Sequence, residues 1–383
     1  MVKKYTLFGL LFGTMIILLL SACLLSNDKF NTQPLTNNGK KWRIGYFEGG
    51  PFSGYPKTLI ALIQGLIELG WLNEIQFPDL DNNTDTEKLW RWISRNVESP
   101  YIEFVADAYW SSNWDKSNLR LETKKKVIQR LNQIQDIDLM IAMGTWAGKD
   151  LANYEHSVPT VVVAARNPVL SGIIKSSDES GFDHIHARVD PNRYERQVRK
   201  FHNIFRFKRL GIVFDKYSSS GRNYAGIEQI EKVAADRNFT IVSCYAPSVQ
   251  VPIGYAEKTA IECYKELAPK VDAVYLTEHR GLTERSLQKI LEPIIENKVP
   301  SFSQSISMAV QNGVLMGNSE TVYQPVGLFY AKIIANIFNG ASPGDLPLVF
   351  NDPLRLAINM KTAKMIGYAP AEEIMQATDE VYK

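Results

Sequence analysis

Cysteine is scarce in this chain: three occur in 383 residues, at positions 23, 244 and 263. No CxxC pair and no HExxH stretch is present, so a dedicated zinc site of ordinary spacing is excluded. Charge of one sign is lacking too. With 43 basic and 41 acidic side chains the net charge is +2, and no dense basic run occurs. Nothing in that balance attracts nucleic acid. A GxSxG nucleophile elbow is absent, and Thr145 has no histidine or lysine arrangement near it in sequence. The phosphate loop GxxxxGK[ST] is missing as well. The stretch "GTWAGKD" (144–150) is one residue too short for it, and Asp150 stands where a magnesium-binding hydroxyl is needed. These absences leave binding as the leading class of function.

Long hydrophobic runs are also few. Leu7 to Leu20 is apolar apart from Gly9, Gly13 and Thr14, and it follows Lys3 and Lys4. That core is shorter than the roughly 20 residues a spanning helix needs. The "LSAC" that follows (20–23) resembles the lipobox of bacterial lipoproteins, which implies cleavage before Cys23 and a lipid on that residue. An uncleaved membrane anchor is the alternative. Either way the remaining chain is expected outside the cytoplasmic membrane. Residues 1–22 are therefore read as a signal peptide, and the polar, aperiodic stretch 23–41 as a flexible tether.

From Trp42 onward apolar strands alternate with amphipathic helices. "WRIGYF", "YIEFVADAYW", "DLMIAMG" and "PTVVVAA" read as strands, with helices such as "KTLIALIQGLIELG" (57–70) between them. The rhythm restarts near residue 192 with "RLGIVFD", "FTIVSCYA", "VDAVYLT" and "PSFSQS" as strands. Strict alternation predicts an α/β protein of two Rossmann-like, doubly wound lobes. Cys244, in a strand, and Cys263, in a helix, read as two buried structural thiols rather than a disulfide. His184 and His186 share one strand face, where two metal ligands or an exposed strand are both conceivable. With no third ligand in reach, no metal site is expected.

Doubly wound sheets bind ligands at the carboxyl ends of their strands. The shortlist is accordingly "EGGPF", "GTW", "RNPV", "DKYSSSG" and "TEHRG". Backbone N–H groups after Gly144, beside Thr145, and in the Ser218–Ser219–Ser220 loop suit a carboxylate, although simple helix capping explains the same residues. Phe47, Phe52, Tyr55, Trp146 and Tyr217 make the loops rich in aromatics, while Glu48 and Glu278 are the acids placed to pair an ammonium. Packing beneath the cleft is the competing explanation for Phe47 and Trp146.

Together, "IGYF…LIQGLIELGW", "DLMIAMGTWAGKDL", "VPTVVVAARNPVLSGI", "RLGIVFD", "VDAVYLTEH" and "LPLVFNDPLRLAINMKTAKMIGY" resemble the ABC-transporter substrate-binding proteins that include tryptophan- and tyrosine-binding lipoproteins. The resemblance runs from Trp42 to about Tyr368 and implies the type I periplasmic-binding-protein fold, two lobes joined by a three-stranded hinge. It places the family's Gly-Thr loop on Gly144 and Thr145, and its Gly-Asp-Pro-Val on Ala165 to Val169, with Asn167 replacing the acid. The family's tyrosine-asparagine loop falls near Asp215 to Ser220. Its Pro-Thr-Asp-Asn falls on Leu276, Thr277, Glu278 and His279. The segment around Asn318 departs from the family's Gly-x-Asp-Tyr, and residues 72–100 exceed the usual length.

The resemblance implies lobe one over 42–186 with helix 319–340, and lobe two over 187–318 with 341–383. It further implies a non-enzymatic, monomeric, lipid-anchored receptor without cofactor. Such a receptor delivers a small organic ligand to an ABC permease, and the aromatic-rich loops favour an amino acid with an apolar or aromatic side chain as that ligand. A sensory partner of a membrane signalling protein is the alternative, and an extracytoplasmic enzyme a third class.

Overall fold

The computed structural model describes residues 31–78, 85–115, 118–306, 308–319 and 322–383. The signal peptide and Cys23 lie outside the described residues. Lobe one runs β1 (Trp42–Glu48), α1 (Gly54–Glu68), α2 (Thr86–Asn96), β2 (Ile102–Ser111), α3 (Leu119–Gln129), β3 (Leu139–Met143), α4 (Gly144–Leu151), β4 (Thr160–Val163) and β5 (Ile185–Ala187). Its strands are all parallel, in the order β2-β1-β3-β4-β5. β3 and β4 are buried along their whole length because helices cover both faces of the sheet.

Lobe two runs α5 (Arg193–Phe205), β6 (Arg209–Phe214), α6 (Ser219–Ala225), α7 (Ile227–Arg237), β7 (Thr240–Tyr245), α8 (Ile253–Leu267), β8 (Ala273–Leu276), α9 (Glu284–Glu296), β9 (Ser301–Ile306) and β10 (Met316–Asn318). α10 (Tyr323–Phe338), β11 (Leu356–Asn359), α11 (Met360–Ile366) and β12 (Thr378–Tyr382) complete the chain. The second sheet, β12-β11-β10-β9-β8-β6-β7, repeats the winding of the first over β6 to β10. It then adds β11, antiparallel to β10, and β12, parallel to β11. One long helix reads plausibly from "GRNYAGIEQIEKVAADR", but the chain breaks it at Gly226, whose φ of +67° is left-handed.

α10 packs on α1 in lobe one, so the chain crosses between lobes three times. The first and third crossings run side by side: Val189 N–H donates to Leu348 O (2.8 Å) and Phe350 N–H to Val189 O (3.0 Å). Arg188 on the first crossing pairs with Asp352 on the third and donates through Nε to the Tyr330 hydroxyl of α10 (3.3 Å).

Three expectations change. Residues 31–41 are not a free tether. The Trp71 indole N–H donates to Thr32 O (2.9 Å), Asn37 Nδ2 donates to Asp138 (3.1 Å), and Asn339 Nδ2 donates to Gln33 O (3.0 Å). Polar composition hid this, because two of the three anchors end on backbone carbonyls that any sequence carries. His184 and His186 are buried rather than exposed. His186 Nε2 meets Pro347 O, and His184 lies edge-on to His156 with centroids 4.8 Å apart. Burial keeps His156 and His186 neutral at ordinary pH by pushing each down to about 4.

Thirdly, Cys244 and Cys263 are disulfide-bonded, with Cα atoms 5.5 Å apart. The crossover that returns α8 over the edge strand β7 sets the two thiols face to face, which the separate strand and helix patterns did not reveal. The extra segment 72–100 supplies α2, whose Leu89, Trp90 and Ile93 face the core, the Trp90 indole donating to Val105 O at 3.0 Å.

The bridge closes a loop of 19 residues, worth about 3 kcal/mol in chain entropy. Cys244→Ser with Cys263→Ala should therefore lower the urea midpoint of lobe two markedly, as should reduction of the wild type, followed by far-UV circular dichroism. An identical midpoint with and without reductant would show that the bridge contributes nothing.

Candidate functional site between the lobes

In both lobes the winding direction reverses beside the first strand, between β1 and β3 and between β6 and β8. Such switch points open a crevice at the carboxyl ends of the strands. In lobe one the register pairs Glu48 with Met143, so Gly49 and Gly144 leave the sheet side by side. In lobe two, β6 ends at Phe214 and β8 at Leu276, placing Asp215 beside the Thr277–Glu278 loop.

Gly144 opens α4 at φ +83°, a left-handed conformation, and a Cβ there would collide with the Tyr55 hydroxyl. Thr145 Oγ1 accepts the Arg166 N–H at 3.4 Å. Trp146 forms part of the wall. The Arg120 guanidinium sits 4.5 Å from its ring centroid, and Trp114 meets it edge-on at 5.3 Å. Arg120 is itself fixed by two hydrogen bonds to Asp150, 2.9 and 2.8 Å. Trp114 is pinned over the glycine loop, its N–H on Gly49 O (2.8 Å) and its indole on Pro51 O (2.9 Å).

From β4 comes the link between lobes. Arg166 forms an ion pair with Glu278 of lobe two and lies 5.2 Å from the Tyr224 ring. Asn167 Nδ2 donates to Asn223 Oδ1 at 3.2 Å. The Glu278 N–H donates to Gln304 Oε1 (2.6 Å), and Gln304 Nε2 to Tyr224 O (2.9 Å), so both partners of Arg166 share one support.

Several expected ligand contacts have other duties. Phe47 is fully buried in the core cluster with Val105 and Met140, and offers no stacking face. Glu48 is buried, and its carboxylate accepts the hydroxyls of Tyr46 (2.9 Å), Tyr109 (2.9 Å) and Ser111 (3.1 Å). Burial raises its pKa against those hydrogen bonds, and the three hydroxyls, not a ligand, are the partners its oxygens meet. Thr277 donates to Val213 O. His279 is closed within lobe two, with Nε2 on Ala246 O (2.9 Å) and Nδ1 accepting the Gly281 N–H (2.9 Å). Ser218 Oγ caps the short helix α6 by accepting the Gly221 N–H (2.8 Å). Ser219 and Ser220 begin that helix. Tyr217 is 72% exposed and faces solvent beside Lys216. Asp215 shapes this loop instead. Burial raises its pKa, but the N–H groups of Ser248 (2.8 Å), Val249 (3.0 Å) and Tyr217 (2.9 Å) prevail and hold it low. Asn318 ends β10 at the hinge, buried.

Sequence reading passed over Arg166, Trp114 and Tyr224. The first lay within a shortlisted loop, and an arginine beside the position of a family acid was its available signal. Among the described residues no group of three or more His, Cys, Asp or Glu side chains is gathered for a metal ion.

Two doubly wound lobes with facing switch points, three crossings and an ion pair spanning the cleft define a type I periplasmic binding protein. The chain belongs to the ABC transporter substrate binding protein family, whose sequence model matches residues 111–382. A tyrosine-binding protein from Clostridioides difficile is 20% identical over 333 residues, covering 81% of this chain and 92% of the relative. Among solved structures, a domain in complex with L-Trp from Streptococcus pneumoniae is 19% identical, with TM-score 0.62, over 89% of this chain and 100% of that one. The ligand-free, open form of a substrate-binding protein with adhesive properties from Clostridium difficile is 16% identical, with TM-score 0.65, over 89% and 99%.

Gly144→Ala should destabilise the fold by more than 1 kcal/mol, roughly, through the left-handed backbone and the Tyr55 clash together. Adding Tyr55→Phe should recover the steric part in thermal unfolding. A single variant as stable as wild type would show that this turn tolerates a side chain.

Proposed function

We propose that this chain is the extracytoplasmic, lipid-anchored receptor of an ABC importer, acting as a monomer and handing a small organic ligand to the permease. The ligand class we favour is an amino acid with an aromatic side chain. The observation that carries this reading is the cleft itself. Trp114 meets Trp146 edge-on in the strand-end loops of lobe one, and Arg166 lies over Tyr224 of lobe two while pairing with Glu278. Aromatic rings in the strand-end loops of both lobes suit a flat ligand. An ion pair that exists only while the lobes meet gives closure a defined end state. The tyrosine-binding relative and the L-Trp-bound neighbour point the same way.

The disulfide of lobe two suits an oxidising compartment. Among the described residues no helix is long and apolar enough to cross a membrane. Attachment at Cys23 accounts for membrane association on the receptor reading, since a permease must find its receptor at the surface.

Isothermal titration with L-Trp, L-Tyr, L-Leu and L-Glu tests the ligand class. The aromatic pair should bind best, and Trp146→Ala should weaken them about fivefold to tenfold, roughly 1 kcal/mol for a lost ring contact. If only acidic, sugar or inorganic ligands bind, the amino-acid reading is wrong and the receptor alone stands. For the anchor, Cys23→Ala should accumulate as an unlipidated precursor, and unchanged lipid labelling of that variant would refute it.

A further inference from the structure

The hinge end of the cleft holds polar groups that the fold leaves unused. Arg193 opens α5, and Gln197 lies one turn on along the same helix face. Gln197 is 1% exposed. Its Oε1 accepts the Tyr275 hydroxyl, but its Nε2 has no acceptor. Asn318, at the end of β10, is 7% exposed, and its Oδ1 has no donor. These three side chains line one small pocket with Val322 and Asp352.

Around them every other arginine is engaged: Arg166 with Glu278, Arg188 with Asp352, and Arg196 with Asp190. Among the described residues Arg193 has no hydrogen-bond acceptor and no ion-pair partner within 4 Å: the Tyr194 ring lies 6.0 Å away, and Asp352 and Asp190, each paired to another arginine, act on it from farther off. A buried donor or acceptor left unmade is costly, and two beside a half-buried arginine in one pocket are rare in a native fold. A guanidinium beside an amide N–H presents parallel donors, the complement of a carboxylate. A lone amide oxygen next to them is the complement of an ammonium. The positive end of α5, a helix of 13 residues, adds to the pull on an anion.

We propose that this pocket is the head-group site of the ligand. The carboxylate of an α-amino acid docks on Arg193 and Gln197 Nε2, and its ammonium donates to Asn318 Oδ1. The assignment rests on the amino-acid reading above. It adds that recognition of the charged head occurs at the hinge, apart from the Arg166–Glu278 pair. Arg166 feels Arg193 as a like charge, and an incoming carboxylate relieves that repulsion.

The test is calorimetry on the mature full chain with L-Trp, L-Tyr, L-Leu and L-Glu. Tryptamine, which lacks the carboxylate, and indole-3-propionate, which lacks the amine, complete the panel. In Arg193→Gln, checked for folding by thermal unfolding, the best-bound amino acid should weaken at least tenfold while tryptamine is unaffected. In Asn318→Leu the preference for L-Trp over indole-3-propionate should collapse. If L-Leu or L-Glu binds and the aromatic pair does not, with the same dependence on Arg193, the aromatic reading fails and the head-group site stands. Full amino-acid affinity in a folded Arg193→Gln overturns the site, and so does a wild type that binds none of the four amino acids.

Discussion

The ion pair between Arg188 and Asp352 is the contact on which the two-lobed arrangement depends. Both side chains are only 11% exposed, and they belong to different crossings. The same guanidinium reaches the Tyr330 hydroxyl, so the helix that returns to lobe one is tied into the same knot. Asp190 adds a second clasp by taking Arg196 at 2.8 and 2.6 Å and the Asp352 N–H at 3.0 Å. A buried pair of this kind adds little net stability over an apolar replacement. Removing one partner, however, strands the other at a cost of about 3–5 kcal/mol. What the pair supplies is definition, because it fixes where the crossings meet and hence the axis about which the lobes turn.

With the axis fixed there, the far end of the cleft is where relative motion is largest, and Arg166 and Glu278 meet on that moving boundary. Their side chains are 20% and 31% exposed. Burial lowers the Arg166 pKa, so the desolvation of a partly buried pair offsets much of its attraction. It is therefore a poor lock and a serviceable latch. A ligand that binds both lobes needs to supply only a few kcal/mol of differential affinity to shift the population toward closure. The Asn167–Asn223 hydrogen bond adds a neutral contact of similar weakness.

How much of this was legible in the sequence follows from which interactions are local. Alternating strands and helices, Gly144 at its turn and the carboxyl-end loops are written in short-range pattern, and the structure contains all three. Contacts between distant segments are not so written. Nothing near Cys244 indicates that α8 folds back to present Cys263, and nothing near Thr32 announces the Trp71 indole. Phe47 and Trp146 looked alike as aromatic residues at strand ends. The pleat turned Phe47 into the core, whereas Trp146 lies in the first turn of a helix, half-buried beneath Arg120. A one-residue difference in direction separates a packing residue from a candidate contact, and period-2 alternation alone cannot say which face is the core.

The acids make the same point in electrostatic terms and lead to the character of the ligand. Glu48 and Glu278 both follow strands at switch points, yet one is sealed beneath three hydroxyls and the other meets a cation from the opposite lobe. The Glu48 carboxylate is taken up by hydroxyls of its own lobe. Glu278 is already balanced by Arg166. The remaining charge near the hinge is thus positive, and it resides on Arg193. A ligand that brought only a cation would meet repulsion there. One that brought a carboxylate would complete the local neutrality that Arg188 and Arg196 already have from Asp352 and Asp190. On the head-group proposal, selection by charge occurs at the hinge, where the wall moves least. The aromatic surfaces of Trp114, Trp146 and Tyr224 lie on the lobes that close, where apolar contact tolerates small changes in angle.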